Sequence, residues 1–235
     1  MKTPTLEQLL NAGVHFGHKV SKWHPKMAPF IYGNKNGIHV INLEKTVDYL
    51  TNALEYVKTL AQQGKIILFV GTKEQAQKIV KKAADDCGMP YVVNHWVGGM
   101  LTNYREISKR IKRLKKLKDD KEHGKLKKYT KKEQADFNEE ARKLEQLFGG
   151  LKGLEKVPDA IFIIDVKREK TAIREARRKK IPIVALVDTN VNPELATHPV
   201  PVNDDALKSL ELIISTFSEA VKEGRAMAKK EDEKP

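Results

Sequence analysis

Apolar residues are spaced in two ways along this chain. Residues 66–70, 91–93, 160–164 and 183–187 form short, nearly unbroken apolar runs, the mark of strands buried on both faces. Elsewhere apolar positions recur every three or four residues: at Ala76, Ile79, Val80 and Ala83, at Ile173 and Ala176, and over 205–221. That spacing predicts helices. Strands of the first kind alternating with helices of the second predict an α/β fold, a doubly wound, mainly parallel sheet with helices on both faces. Val200, Pro201 and Val202 suit a short edge strand, where the missing proline N–H is tolerated.

A longer insertion separates the second run from the third. Leu101, Tyr104, Ile107, Ile111, Leu114 and Leu117 share one face of a helix. A break follows at 119–124. Thr130 and Glu133 then have the spacing of a capping box, opening a helix that carries Phe137, Ala141, Leu144 and Phe148 and stops at Gly149-Gly150. Two amphipathic helices with a short polar connection predict an antiparallel, coiled-coil-like helical hairpin. The N-terminal pattern is less regular. Residues 5–11 read as a short helix and 38–41 as a strand, Asn42 caps a helix reaching about Ala61, and 13–37 reads as a loop. The expected organisation is a first part of the α/β domain with an N-terminal extension over 1–101, the hairpin over 102–150, a second part over 151–224, and a charged, disordered tail over 225–235.

Charge changes the picture. The 235 residues include 44 Lys/Arg against 31 Asp/Glu, a net charge of +13. A polyanionic partner is implied, nucleic acid or an anionic membrane surface. Between Arg105 and Lys132 fourteen basic residues accompany four acidic ones. A charged face ordinarily serves solubility, but this density of one sign repels itself unless phosphates neutralise it. Arg105, Lys109, Arg110, Lys112, Arg113 and Lys116 are therefore candidate nucleic-acid-binding residues. Lys19, Lys22, Trp23, His24 and Lys26 join them, since basic residues flank an aromatic on a loop stiffened by Pro25 and Pro29. The alternative for that loop is Trp23 packed as an anchor against its own domain. No apolar run approaches the roughly 20 residues of a membrane span, and residues 1–13 hold no secretory core. A secreted or membrane-spanning protein is not expected. The single cysteine, Cys87, excludes an internal disulfide framework and a zinc ribbon.

Sheets of this class bind ligands at the C-terminal ends of their strands. Gly71-Thr72-Lys73 opens a helix there but lacks the Walker spacing. Asp165 and Asp188 each close a strand, and Asp204-Asp205 opens the last helix. Such carboxylates suit magnesium-dependent phosphoryl transfer, and His15 and His18 could join them around a metal. Capping helices and satisfying loop amides is their more ordinary role. Nucleophile, base and oxyanion donors do not occur together. No catalytic residue, metal ligand, cofactor or small-molecule substrate is therefore assigned. Ahead of the hairpin, Trp96 is expected to pack against the sheet, and Thr102 or Asn103 to cap the basic helix or contact phosphates.

Several segments in order resemble the bacterial-type small-subunit ribosomal protein S-two family. They are Leu9-Leu10-Asn11-Ala12-Gly13-Val14-His15-Phe16-Gly17-His18, residues 38–46 with Ile41-Asn42-Leu43-Glu44-Lys45-Thr46, residues 96–103, Pro158-Asp159-Ala160 leading to Asp165, and Ile181-Pro182 leading to Asp188-Thr189-Asn190. The resemblance covers about Leu6 to Gly224. It implies an α/β domain with a protruding helical hairpin. It also implies a non-enzymatic constituent of the cytoplasmic small ribosomal subunit. The implied partners are small-subunit ribosomal RNA and neighbouring ribosomal proteins, including ribosomal protein S-one, which the family helps to anchor. From the residues alone two alternatives stand: a phosphoryl-transfer enzyme using Asp165 and Asp188, and a stand-alone RNA-binding regulator.

Overall fold

The computed structural model describes residues 3–232, with side chains through residue 228. Thr5 opens helix α1 (Leu6–Asn11) with a capping box closed by Gln8. Strands β1 (Phe16–Lys19), β2 (Ile31–Lys35) and β3 (Ile38–Ile41) follow, antiparallel in the order β1-β3-β2. The loop expected over 13–37 is thus corrected: it holds two strands separated by 3-10 turns at Val20–Lys22 and Pro25–Phe30. Register shifts between Phe16 and Lys19 and between Ile31 and Gly33 break the two-residue alternation that would have marked them. Asn36 and Gly37 turn β2 into β3 with φ of 52° and 76°, the left-handed pair a tight hairpin requires.

Asn42 caps α2 (Leu43–Gln62), its Oδ1 accepting from the Glu44 and Lys45 amides at 3.0 and 3.4 Å. The chain continues through β4 (Ile67–Val70), α3 (Glu74–Cys87), β5 (Tyr91–Val92), α4 (Tyr104–Glu122) and α5 (Lys131–Phe148). Then come β6 (Ala160–Ile163), α6 (Lys170–Arg178), β7 (Ile183–Val187), β8 (His198–Pro201) and α7 (Leu207–Asp232). Five parallel strands pair in the order β5-β4-β6-β7-β8, a doubly wound sheet. Alternate side chains leave by opposite faces. Phe69, Phe162 and Leu186 pack with α2, α3 and α7, while Leu68, Ile161 and Val187 pack with α6 and with α4 and α5. Cover on both faces is why these strands read as unbroken apolar runs. Pro199 and Pro201 sit on the edge strand β8.

The insertion lies between β5 and β6. Ile107, Ile111, Leu114 and Leu117 of α4 are buried in one cluster with Leu144 and Phe148 of α5. Thr130 and Glu133 make their capping box. Arg113 donates twice to Glu140, at 3.0 and 2.8 Å, and Lys118 pairs with Glu145 at 2.6 Å, tying the two helices side by side. α7 corrects another expectation. It does not stop near Val221 but continues to Asp232, so residues 225–232 are helical rather than a disordered tail; residues 233–235 lie outside the described residues. Gly224 lets α7 cross α2 closely, since a Cβ there would stand 2.3 Å from the Lys58 carbonyl oxygen. Arg225 then ties α7 to the end of α3, donating to the Cys87 and Gly88 carbonyls at 2.7 and 3.1 Å. No helix among the described residues is long and apolar enough to cross a membrane.

Candidate nucleic-acid interface

The buried stripe of α4 determines which of its cations face outward. At 3.6 residues per turn, Arg105, Lys109, Lys112 and Lys116 form a row opposite Ile107, Ile111 and Leu114, and all four are exposed. Arg110 is exposed beside the stripe. Lys109 pairs with Glu106 at 2.7 Å, a surface contact of little energy. Arg113 is committed differently. Besides its two bonds to Glu140, its guanidinium carbon lies 5.8 Å from the Phe137 ring centre, so it fastens α4 to α5.

The segment that launches α4 is set by a residue sequence reading missed. Glu175 of α6 is 8 % exposed. One of its carboxylate oxygens accepts from the Trp96 indole at 3.1 Å and the Gly99 amide at 2.8 Å. The other accepts from the Leu101 amide at 3.0 Å, the Thr102 amide at 3.1 Å and the Thr102 hydroxyl at 3.0 Å. Burial alone would raise this carboxyl's pKa, but the donors from Gly99, Thr102, Trp96 and Leu101 outweigh it and hold the group below its ordinary value. Gly99 bends the segment at φ 93°. Trp96 is buried, as expected. The expected cap is corrected: Asn103 stands at the N-cap without a side-chain hydrogen bond, and Thr102 donates to Glu175.

In the N-terminal loop, Lys19, Lys22 and Trp23 are exposed. The Trp23 ring also lies 5.2 Å from that of His39, so it is anchored on one side and open on the other. His24 and Lys26 build the loop. The His24 amide donates to the Thr189 carbonyl at 2.8 Å, its Nδ1 accepts from the Lys26 amide at 3.2 Å, and the Lys26 ammonium pairs with Glu194.

The crevice at the strand ends is filled by the protein's own groups. The Thr72 amide donates to Glu169 at 3.0 Å, leaving it closed to a phosphate. The Lys73 ammonium lies 2.8 Å from Asp204, 2.6 Å from Asp205 and 3.6 Å from Asp165. Burial opposes its charge, and these carboxylates outweigh burial, raising its pKa. Burial and the nearby Asp188 and Asp165 charges push the Asp204 carboxyl up to about 7. His18 bridges Asp188 at 3.1 Å and Asp205 at 3.4 Å, and the Asp188 bond raises its pKa. His18, Asp188 and Asp205 offer ligand atoms within 4.8 Å of one another, the place where a divalent cation would fit. A protonated His18 satisfies the same two carboxylates without one. His15 does not join them in that group; burial lowers its pKa. The N-terminal strands close the front. Asn203 donates from its amide to the Val14 carbonyl and from its side chain to the Gly13 carbonyl, both at 3.0 Å. The His18 amide donates to the Thr189 hydroxyl at 2.8 Å, and a Cβ on Gly17 would stand 2.6 Å from the Thr189 methyl.

Asp165 and Asp188 thus have structural partners, Arg168 and Lys73 for the first, Thr189 and His18 for the second. Asp188→Asn is expected to lower stability by about 1–3 kcal/mol through lost charge-assisted bonds. Thermal melting by circular dichroism checks this. No metal-dependent hydrolysis of nucleotides or phosphate esters is expected from the parent protein. Saturable turnover that vanishes in a folded Asp188→Asn variant would restore the phosphoryl-transfer reading.

Comparison with known proteins places this architecture. The family model described as Ribosomal protein S2 matches residues 9–224. The chain is 48% identical over 226 residues to the small ribosomal subunit protein uS2 of Dictyoglomus thermophilum, covering 96% of this chain and 92% of that one. It is 48% identical over 225 residues to uS2 of Fusobacterium nucleatum subsp. nucleatum, covering 95% and 91% of the two chains. Over 225 residues it is 46% identical to uS2 of Coprothermobacter proteolyticus, covering 96% and 84%. The matched span takes in the N-terminal strands, the whole parallel sheet, the two-helix insertion and the Glu175 clamp. On that span, this chain belongs to the ribosomal protein S2 family.

Proposed function

We infer that the chain is a structural constituent of the small ribosomal subunit. It binds small-subunit ribosomal RNA and neighbouring ribosomal proteins, supports translation in the cytoplasm and catalyses no reaction. Family membership across residues 9–224 carries this reading. At finer grain, the outward row of α4, Arg105, Lys109, Lys112 and Lys116 with Arg110 at its side, meets RNA phosphates. Arg113 keeps the helix pair together behind that row. Lys19 and Lys22 add phosphate contacts, Trp23 stacks on an unpaired base, and His24 and Lys26 hold their loop in shape. Residues 102–150 act as one RNA-binding unit carried by the sheet that 1–101 and 151–224 build. Ribosomal protein S-one is a further partner, supported by the family resemblance alone.

Sedimentation tests the reading. A tagged full-length chain is expected to travel with small subunits through a high-salt sucrose gradient, and subunits lacking it are expected to lose ribosomal protein S-one. Recovery of the chain only at the top of the gradient would leave the stand-alone regulator as the better description.

A further inference from the structure

Eight Lys/Arg and two Glu lie between Lys167 and Lys180, a stretch the sequence reading left out of the interface. The fold separates these charges by sign. Both carboxylates turn inward: Glu169 accepts from the Thr72 amide and hydroxyl at 3.0 and 2.6 Å, and Glu175 clamps the segment ahead of α4. All eight cations are exposed. Arg168 donates to the Thr72 hydroxyl at 2.9 Å. Among the described residues none of the eight is in an ion pair, whereas on α4 Lys109, Arg113 and Lys118 all are. On α6 the cations form a compact face. Lys170, Arg174 and Arg177 are spaced by four and three, with Arg178 alongside, opposite the buried Ala172, Ile173 and Ala176.

We propose that this outer face of α6 is a second RNA-binding surface, engaging the phosphate backbone of small-subunit ribosomal RNA. It rests on the RNA-binding reading given above. The helix dipole accounts for Arg177 and Arg178 at the C-terminal end, where cations are favoured. It does not account for Lys170 and Arg174, since positive charge near the N-terminal end is disfavoured and the first turn of α6 has no acidic residue. A row of cations with its own acids buried repels itself, and no carboxylate among the described residues is paired with it. A phosphate backbone supplies counter-charge, and arginine's planar fork suits two-pronged contact with phosphate oxygens. Through Glu175, α6 also holds the segment that leads into α4, and the apolar sides of both helices pack in the same cluster on one side of the sheet.

Three full-length variants test the proposal by salt-titrated binding to small-subunit ribosomal RNA: Arg174→Glu/Arg177→Glu/Arg178→Glu, the milder Lys170→Ala/Arg174→Ala, and an α4 reference, Lys112→Glu/Lys116→Glu. The α6 triple variant is expected to lose at least about tenfold in affinity, with its log–log salt slope shallower by about 2–3. The Ala pair should flatten the slope by about 1–2 with its melting temperature unchanged, which separates lost contacts from lost fold. Parental slopes in both α6 variants, beside a flattened slope in the α4 reference, would overturn the proposal and leave the α4 interface standing. Parental slopes in all three would overturn the RNA-binding reading beneath it. A normal RNA slope with failed incorporation into subunits would assign the face to an acidic protein and overturn the proposal.

Discussion

Reversing Arg105, Lys109, Lys112 and Lys116 to Glu is expected to weaken binding to small-subunit ribosomal RNA by about a hundredfold or more at physiological salt. The four form the outward row of α4, so no buried contact is lost. Each phosphate engaged releases roughly 0.7–0.9 of a counterion, and losing four should flatten the log–log salt slope by about 3–4. Arg113 is left intact because it holds α4 to Glu140 of α5, and reversing it would mix lost contacts with a loosened helix pair. Thermal melting of this variant should stay close to that of the parent, as surface substitutions usually cost under about 0.5 kcal/mol each. An unchanged affinity and slope would remove α4 from the interface.

Glu175→Gln is the second large effect. The carboxylate collects five hydrogen bonds from the segment ahead of α4. A carboxamide has one accepting oxygen and presents N–H groups to N–H donors, leaving buried amides unsatisfied. The cost is about 2–4 kcal/mol, a fall in melting temperature of about 5–15 °C for a chain of this size. RNA binding separates positioning from plain electrostatics. The variant gains one unit of positive charge, which alone would tighten binding, whereas a misplaced α4 weakens it. Acidity offers a further check. The folded-state pKa of Glu175 lies below its ordinary value of 4.5, so its stabilisation is present above that pH and is lost as the pH falls through the folded value. The stability gap between parent and variant should therefore narrow on acidification below about 4.5. Equal melting together with tighter RNA binding would make Glu175 a bystander.

The parts of this molecule legible in its sequence are those governed by local rules. Four apolar runs became four strands of the parallel sheet because burial on both faces forbids polar interruptions. Thr130 and Glu133 marked the start of α5 because a capping box is complete within four residues. The apolar stripe of α4 was legible because a helix has one period, but charge density alone did not separate the outward cations from Arg113, which turns to Glu140 of α5. What stayed hidden depends on distant partners. Nothing near Glu175 announces that its acceptors serve amides more than seventy residues earlier in the chain. Composition does not tell that Glu169 and Glu175, which lie among the eight cations around α6, are buried and leave the surface to the cations. β1 and β2 escaped because their register shifts hide the alternation. The extension of α7 escaped because its hold on the molecule is a glycine crossing and an arginine reaching two carbonyls, neither of which is an apolar stripe.

The socket that receives the N-terminal strands has a consequence in time. Gly13, Val14, His18 and His24 are fastened to the main sheet by Thr189 and Asn203. A chain leaves its ribosome from the N-terminus, so these strands are made well before their socket, which lies 171 to 190 residues further along the chain. Until Asn203 has emerged, the segment bearing Lys19, Lys22 and Trp23 has nowhere to dock. A product that ends before Asn203 lacks that socket. Seating it is a closure spanning most of the polypeptide, a late and slow kind of contact. The N-terminal strands thereby act as a latch that shuts only once both Thr189 and Asn203 have been made, and the loop bearing Lys22 and Trp23 is set by those later residues.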